Sequence, residues 1–345
     1  MGYYRVSLNP FFRHVVKRLF LLFLLALIGI SVAGFLFATR PVTLKTSPLD
    51  FEIMPGTGLR GASKMMVDAG IEMVPWQFSW LGRVLGKSAR IQAGSYRVEA
   101  GVTPYALLQK LTRGDTHQAE IVFLEGKTFA EFRQQLAAHP DVRHDSAGLS
   151  LVELMAELEI EAAYPEGQFF PDTYLFSKNT SDIDILRRAH KSLQLRLAEE
   201  WAARDPGLPY RTPYEALIMA SIIEKETGKA EDRTHIAGVF VNRLRIGMRL
   251  QTDPAVIYGL RTFDGNLRKT DLQADSPYNT YLHTGLPPTP IAMPGLASLR
   301  AALHPASSDN FYFVARGDGS SVFSPTLDEH NRAVARYQKR RDDAR

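Results

Sequence analysis

Residues 19–38 form a long, uninterrupted apolar stretch near the N-terminus. The stretch is LFLLFLLALIGISVAGFLFA and contains no charged side chain. A helix of this length rises about 30 Å, which matches the hydrocarbon thickness of a bilayer. The apolar part of a cleaved signal peptide is shorter, roughly 7–15 residues, and a buried core helix fits poorly because charges flank the stretch. We therefore predict a single N-terminal transmembrane helix at 19–38.

The charges on either side of this helix predict its orientation. Four basic residues and no acidic residue lie in 1–18, whereas two basic residues, Arg40 and Lys45, follow the helix closely. By the positive-inside rule, residues 1–18 are a cytoplasmic basic tail. We therefore predict a single-pass protein of the cell inner membrane whose C-terminal part is periplasmic, with residues 39–48 as a polar linker.

Residues 49–118 have the pattern of a small α+β module. DFEIM (50–54) alternates between polar and apolar residues as a strand does, RGASKMMVDAG (60–70) has helical spacing, and AGSYRV (93–98) is a second strand candidate. The segment 103–114 has a threonine cap, a proline in the first helical position and a glycine at its end, which predicts a helix. A module of this size is more often a binding module than a catalyst.

Residues 119–345 are predicted to form one larger α+β catalytic domain. FYFVARGDGSSVFSPT (311–326) is typical of a β-hairpin. Residues 164–176 are rich in proline and aromatic residues, which favours a structured loop or cleft wall over a regular element. Helical spacing predicts helices at 128–139, 181–204, 212–228, 231–246 and 327–341.

The helix at 212–228 has well-marked ends and an apolar centre. Thr212 is the predicted N-cap, Pro213 occupies the first helical position, Glu215 completes a capping box and Gly228 terminates the helix. Residues 216–223 are apolar apart from one serine, so this helix is expected to be buried on all sides.

Two acids follow that apolar segment and point to nearly opposite sides of the helix. Glu224 falls close to the direction of Leu217, whereas Glu226 lies about 200° further round. Apolar surroundings and the negative end of the helix dipole both raise the pKa of a carboxyl group, as a general acid requires. The alternative is that Glu224 forms a structural ion pair, for instance with Arg243 or Arg249.

Composition and motifs exclude several classes of function. Lys and Arg total 41 against 37 Asp and Glu, and the excess of four lies in the N-terminal tail, so no nucleic-acid partner is predicted. The absence of cysteine excludes disulfides and thiolate sites. GTGLRG (56–61) matches G-x-G-x-x-G but lacks the acidic residue that should follow it, so we predict a turn. With no cofactor or metal predicted, carboxylate acid–base chemistry on sugars remains.

Several long motifs resemble the MltG/YceG family of endolytic murein transglycosylases. The matching motifs occur in the family's order and are LEGKT (124–128), EGQFFPDTY (166–174), ASIIEKET (220–227), VFVNRLRIGMRLQTDP (239–254) and YNTYLHTGLPPTPIAMPG (278–295). The resemblance implies that residues 49–118 are a LysM-like module and that peptidoglycan glycan strands are the substrate. It also implies termination of nascent strand elongation and work beside peptidoglycan synthases.

The resemblance also implies a catalytic residue and a reaction. Glu224, as the first glutamate of the E-K-E-T stretch, is the expected acid. It would cleave the MurNAc–GlcNAc β-1,4 bond without water and leave a 1,6-anhydro-MurNAc end. The residues in matching motifs that are predicted to bind glycan are Glu166, Gln251, Asp253, Asn279 and Tyr281. For Gln251 and Asp253 the alternative is that they cap the helix predicted at DPAVIYG (253–259). For Glu226 we predict a surface position beside a lysine or arginine.

Two other classes of function are left open by the residues themselves. One is a glycan-binding scaffold without catalysis, which a Glu224 locked in a buried ion pair with no cleft beside it would favour. The other is a true hydrolase, which needs a second carboxylate to act on water or as nucleophile. Asp253 is the candidate for that second carboxylate.

Overall fold

The computed structural model describes residues 10–339 and the side chains of residues 16–338. The chain divides into two compact units, Met1–Ala119 and Glu120–Arg345, and each is described by itself. Residues 1–9 of the predicted basic tail lie outside the described residues, and residues 10–18 form the beginning of the first helix. Both units combine helices with short strands, which confirms the α+β class.

The first unit contains one long helix and a small mixed module. In chain order its elements are α1 (Pro10–Thr39), β1 (Thr43–Leu44), β2 (Leu49–Ile53), α2 (Leu59–Ala69), β3 (Ile71–Glu72), α3 (Pro75–Val84), β4 (Gly94–Val98) and α4 (Pro104–Arg113). Within the described residues, Val16–Thr39 of α1 is the one stretch that is long and apolar enough to cross a membrane, and it is not buried.

The core of the module lies between a two-stranded sheet and helices α2 and α4. Strands β2 and β4 are antiparallel, and Phe51 pairs with Tyr96 with their rings stacked 5.6 Å apart. The alternation predicted for the first strand is confirmed, since its odd-numbered residues are buried and its even-numbered residues are exposed. The Thr103 cap on α4 is also confirmed, because its side chain accepts a hydrogen bond from the Ala106 N–H. The likeness to LysM remains a prediction.

The second unit is dominated by helices. In chain order its elements are β5 (Ala119–Val122), α5 (Phe129–Ala138), β6 (Val142–Arg143), α6 (Leu151–Glu157), β7 (Thr173–Phe176), β8 (Thr180–Ser181), α7 (Asp182–Ala202), α8 (Pro213–Glu226), α9 (Ala230–Arg245), α10 (Asp253–Gly259), α11 (Leu296–Leu303), β9 (Tyr312–Ala315), β10 (Ser321–Ser324) and α12 (Leu327–Val334). Strands β9 and β10 form the predicted hairpin. The predicted cleft wall at 164–176 is irregular except at its end, where β7 pairs with β5.

Helix α8 lies at the centre of the second unit. Residues 216–223 are all buried, and α7, α9 and α11 pack around them. Thr212 caps the helix through the Glu215 N–H, as predicted. The predicted capping box is wrong, because the Glu215 carboxylate accepts a hydrogen bond from the Arg211 N–H instead. The helix ends at Glu226, two residues before the predicted Gly228, so both of its acids lie in the last turn.

Candidate active site

Glu224 is packed among protein atoms on one side of α8. Its side chain is 7% exposed. One carboxylate oxygen accepts a hydrogen bond of 3.0 Å from the Gly295 N–H, and the other lies 4.0 Å from the Arg233 guanidinium. Glu224 therefore ties the end of α8 to the loop before α11 and to α9. Glu224 thus forms an ion pair, as the alternative interpretation of the sequence expected, but its partner is Arg233 and not Arg243 or Arg249.

A second carboxyl group lies beside Glu224. Burial and the charge of Glu224 raise the pKa of Glu125, and the Arg233 guanidinium lowers it. The backbone of Gly295 approaches so closely that a Cβ at this position would stand 1.8 Å from the Glu125 carboxylate. The Gly295 backbone therefore packs against the Glu125 side chain, and Glu125 itself is exposed to solvent.

Glu226 faces a cleft on the other side of the helix. The cleft has a volume of about 530 Å³, and Glu226 forms part of its wall together with Gln251, Asp253 and Tyr281. The Glu226 carboxylate accepts a hydrogen bond of 3.1 Å from the Thr252 hydroxyl. The hairpin β9–β10 and helix α12 contribute the remaining wall. Three of the predicted glycan-binding residues therefore gather around Glu226 and not around Glu224.

The predicted surface position of Glu226 is wrong, although an arginine, Arg243, does line the same cleft and its charge acts on Glu226. The residue is partly accessible from the cleft, but its carboxylate lies deep in the protein because Thr252 and the start of α10 fold against the end of α8. Burial, the largest cause, and the charge of Asp253 raise the pKa of Glu226, whereas the Thr252 hydrogen bond and the Arg243 charge lower it, and the net result is a pKa of about 7. Near neutral pH this carboxyl group can both donate and accept a proton.

The Tyr281 side chain and the Gln251 backbone are held in place beside Glu226 by hydrogen bonds within the protein. The Tyr281 hydroxyl donates a hydrogen bond of 2.6 Å to the Asp253 carboxylate. Gln251 has a φ of 49°, a left-handed conformation that costs a non-glycine residue on the order of 1 kcal/mol. Its N–H donates to the Thr280 carbonyl, which holds the strained backbone in place and leaves the Gln251 side chain at the cleft wall.

The other two predicted glycan-binding residues are buried and already hydrogen-bonded. Glu166 is 6% exposed and accepts hydrogen bonds from the Phe129 N–H and the Tyr258 hydroxyl. Asn279 is 1% exposed, and its amide bonds to backbone groups of neighbouring loops, among them the Tyr281 N–H. We therefore infer that neither residue binds the glycan directly, and that Asn279 supports the part of the cleft wall that Tyr281 forms.

Sequence reasoning did not place Arg243, Tyr312 and His330 at the cleft, although it named Arg243 as a candidate partner of Glu224. Arg243 is buried and donates hydrogen bonds to the Phe311 and Leu250 carbonyls, which ties α9 to the hairpin. Tyr312 and His330 stack with their rings 5.3 Å apart and line the wall formed by the hairpin and α12. The aromatic residues of the predicted hairpin were the available signal, but nothing in the sequence indicates that α12 packs beside them.

The charge of Asp253 predicts a measurable shift in pH dependence. Asp253→Asn removes a negative charge that raises the pKa of Glu226, so that pKa should fall by a few tenths of a unit to about one unit. Loss of the protonated form then begins at lower pH, and the alkaline limb of kcat/KM should move in the acid direction. Asp184→Asn on α7, an exposed acid bound to Arg187, is the matched control. An unmoved limb in Asp253→Asn would contradict this coupling.

Comparison with known proteins places the chain in a family. The YceG-like family matches residues 51–336. An endolytic murein transglycosylase of Bacillus subtilis (strain 168) is 38% identical over 267 residues, which are 71% of this chain and 73% of the relative. The chain belongs to the YceG-like family.

Two further similarities extend the comparison. An endolytic murein transglycosylase of Streptococcus pneumoniae (strain D39) is 29% identical over 282 residues, 72% of this chain, and the match spans about half of that relative, 51%. A crystal structure of a yceG-like protein from Listeria monocytogenes superposes with a TM-score of 0.53 at 29% identity, covering 83% of this chain and 98% of that one. The fold is therefore shared with a solved structure.

Proposed function

We propose that this protein is an endolytic murein transglycosylase that cleaves peptidoglycan glycan strands. The relatives named above support the activity. The observation that carries the proposal is the cleft beside Glu226, where a carboxyl group with a pKa of about 7 lies among amide, phenol and carboxylate side chains. Such a group can protonate a glycosidic oxygen at neutral pH.

The proposed catalytic acid is Glu226 and not Glu224. Glu226 lines the cleft and contacts the QTDP motif through Thr252, whereas Glu224 is held by Gly295 and Arg233 away from it. Both glutamates belong to the E-K-E-T stretch on which the resemblance rests, so the proposal moves the role by two residues within the same motif. The positions on opposite sides of α8 make the two assignments separable by experiment.

The proposed reaction needs one carboxyl group in two protonation states. Glu226 protonates the oxygen that leaves C1 of MurNAc, and the MurNAc–GlcNAc bond breaks. The C6 hydroxyl of the same MurNAc attacks C1, and the Glu226 carboxylate takes up the hydroxyl proton. No water enters, a 1,6-anhydro-MurNAc end forms, and the acid is restored. Asp253, held by Tyr281, is placed to bind substrate hydroxyl groups.

We propose that helix α1 anchors the protein in the membrane. Helix α1 contains a stretch, Val16–Thr39, that can cross a bilayer. With the basic residues before it on the cytoplasmic side, the module at 49–118 and the second unit would lie in the periplasm, where peptidoglycan is found. A link to peptidoglycan synthases and to termination of strand elongation rests on the family resemblance alone.

Digestion of isolated peptidoglycan strands tests the activity. The full-length protein in detergent should shorten long strands from the beginning of the reaction, because an endolytic enzyme cuts within the strand. Strand length by chromatography and the appearance of new MurNAc ends are the measurements. Binding to strands without shortening would favour the scaffold alternative, and early release of disaccharides from strand ends would contradict endolytic cleavage.

A further inference from the structure

Helix α3 of the first unit carries an exposed apolar stripe. Trp76, Trp80 and Val84 recur every fourth residue, so they lie along one side of the helix, and they are 64%, 43% and 60% exposed. The opposite side packs into the module core through Phe78 and Leu81. A contiguous exposed apolar stripe that includes two tryptophans indicates an interaction surface.

The partner is indicated by the position of the stripe beside α1. The Trp80 ring lies against Gly34, with Cζ3 3.4 Å from the point where a Cβ of residue 34 would stand. A groove of about 440 Å³ separates the two helices, and its walls include Ile30 and Phe37 from α1 and Trp76 from α3. Helix α3 therefore runs beside the last third of the apolar stretch of α1.

The depth of this contact follows from helix geometry. Gly34 precedes the end of α1 at Thr39 by five residues, or about 8 Å along the helix axis. A hydrocarbon core of about 30 Å takes up roughly 20 residues of Val16–Thr39, so Gly34 lies a few ångströms inside the hydrocarbon boundary. If α1 crosses the bilayer, Trp76 and Trp80 lie at the level where tryptophan is enriched in membrane proteins.

We propose that α3 is an interfacial helix that inserts its Trp76–Trp80–Val84 stripe into the bilayer at the boundary of acyl chains and headgroups. The proposal rests on the transmembrane role proposed for α1. Acyl chains would fill the groove between α1 and α3. Arg83 is exposed on the same side of α3 as Trp76, and its guanidinium can reach lipid phosphates from there. The module would then bind the membrane surface in addition to being tethered to it.

Tryptophan fluorescence can test this insertion in the full-length protein. The chain has three tryptophans, and the third, Trp201, lies in the second unit, where it packs against that unit's core. Trp201→Phe leaves only the two reporters on α3. The double substitution Trp76→Phe and Trp80→Phe leaves only Trp201 and is the matched control. All substitutions are aromatic for aromatic, so both proteins should fold.

Each protein is reconstituted into phosphatidylcholine vesicles with bromine either near the glycerol end or near the methyl end of the acyl chains. We expect bromine near the glycerol end to reduce the emission of the Trp201→Phe protein by about half or more, with a weaker effect from the methyl end. The control protein should change little with either lipid. Acrylamide in the aqueous phase should quench the control protein more strongly than the Trp201→Phe protein.

Two outcomes would overturn the proposal in different ways. If the proteins float with the vesicles but bromine quenches the emission of neither, α1 is an anchor, α3 does not insert into the bilayer and the proposal is wrong. If the proteins do not float with the vesicles, the transmembrane role of α1 fails, and the insertion of α3 fails with it. Flotation with selective quenching of Trp76 and Trp80 supports both proposals.

Discussion

Glu226→Gln is expected to lower turnover of peptidoglycan by at least the 10²–10⁴-fold that is typical of a lost general acid and base. The amide keeps the size of the side chain and can still accept the Thr252 hydrogen bond, but it has no proton to donate to the leaving oxygen. The measurement is the rate at which new MurNAc ends form at saturating substrate, together with binding of the variant to intact strands. Binding should persist.

Glu224→Gln is the matched control, because it makes the same change two residues away on the same helix. It should keep turnover within about tenfold of the parent, since Glu224 lies outside the cleft, and it should lower the melting temperature through its weaker contact with Arg233. If Glu224→Gln stays folded and loses turnover while Glu226→Gln keeps it, the acid is Glu224 and our assignment is wrong.

Glu226→Gln should also change the stability of the folded protein, and the size of the change in melting temperature depends on pH. The pKa of Glu226 is raised from 4.5 to about 7 by folding, so the unfolded chain releases this proton first and stability is lost as pH rises from about 4.5 to 7. A full shift of this size corresponds to about 3 kcal/mol at most. Glu226→Gln removes the titration and should therefore melt higher than the parent at pH 8, with the difference vanishing near pH 4.5.

The beginning of α8 and the burial of its centre were predictable because they depend on local chemistry. Thr212 and Pro213 mark where a helix can begin, and the unbroken apolar segment leaves no side for solvent. The angular separation of the two glutamates also follows from helix geometry alone. These features need no knowledge of the rest of the fold.

The choice between the two glutamates was not predictable in the same way. Helix phase places Glu224 and Glu226 on opposite sides, but it does not say which side faces protein and which faces a cleft. That depends on Thr252 folding against one acid and on Gly295 and Arg233 folding against the other, from segments that are distant in the chain. The apolar residues before Glu224 predicted that its side chain is buried. The side chain is buried, but it lies beside Arg233 in an ion pair and not in the cleft.

The predicted glycan-binding residues also divide into those that line the cleft and those that hold a loop in place, and this division depends on contacts between distant segments. All of them lie in motifs that match the family, yet a motif position does not distinguish a residue that contacts a ligand from one that holds a loop. The Asn279 side-chain oxygen accepts a hydrogen bond from the Tyr281 N–H. The Tyr281 hydroxyl in turn donates a hydrogen bond to the Asp253 carboxylate at the cleft. Only the three-dimensional arrangement shows that Asn279 supports the wall and that Tyr281 and Asp253 form it.

Products of digestion in heavy-oxygen water should carry 1,6-anhydro-MurNAc ends without the heavy label. In the proposed reaction the C6 hydroxyl is the nucleophile, so no atom of water enters the product and the new end cannot be reduced by borohydride. Mass spectrometry of the released fragments measures the end and the label together. A hydrolytic muramidase acting on the same strands is the positive control, and it should give reducible ends that carry the label.

Asp253 makes this experiment decisive, because it lies in the same cleft as Glu226 and a hydrolase would use such a second carboxylate on water. We expect it to bind substrate instead, since its carboxylate already accepts the Tyr281 hydrogen bond and Glu226 with a pKa of about 7 can serve as acid and then as base. Labelled, reducible ends would identify a hydrolase. In that case, Asp253→Asn should abolish turnover as completely as Glu226→Gln, whereas a transglycosylase that uses Glu226 alone should retain measurable turnover in Asp253→Asn.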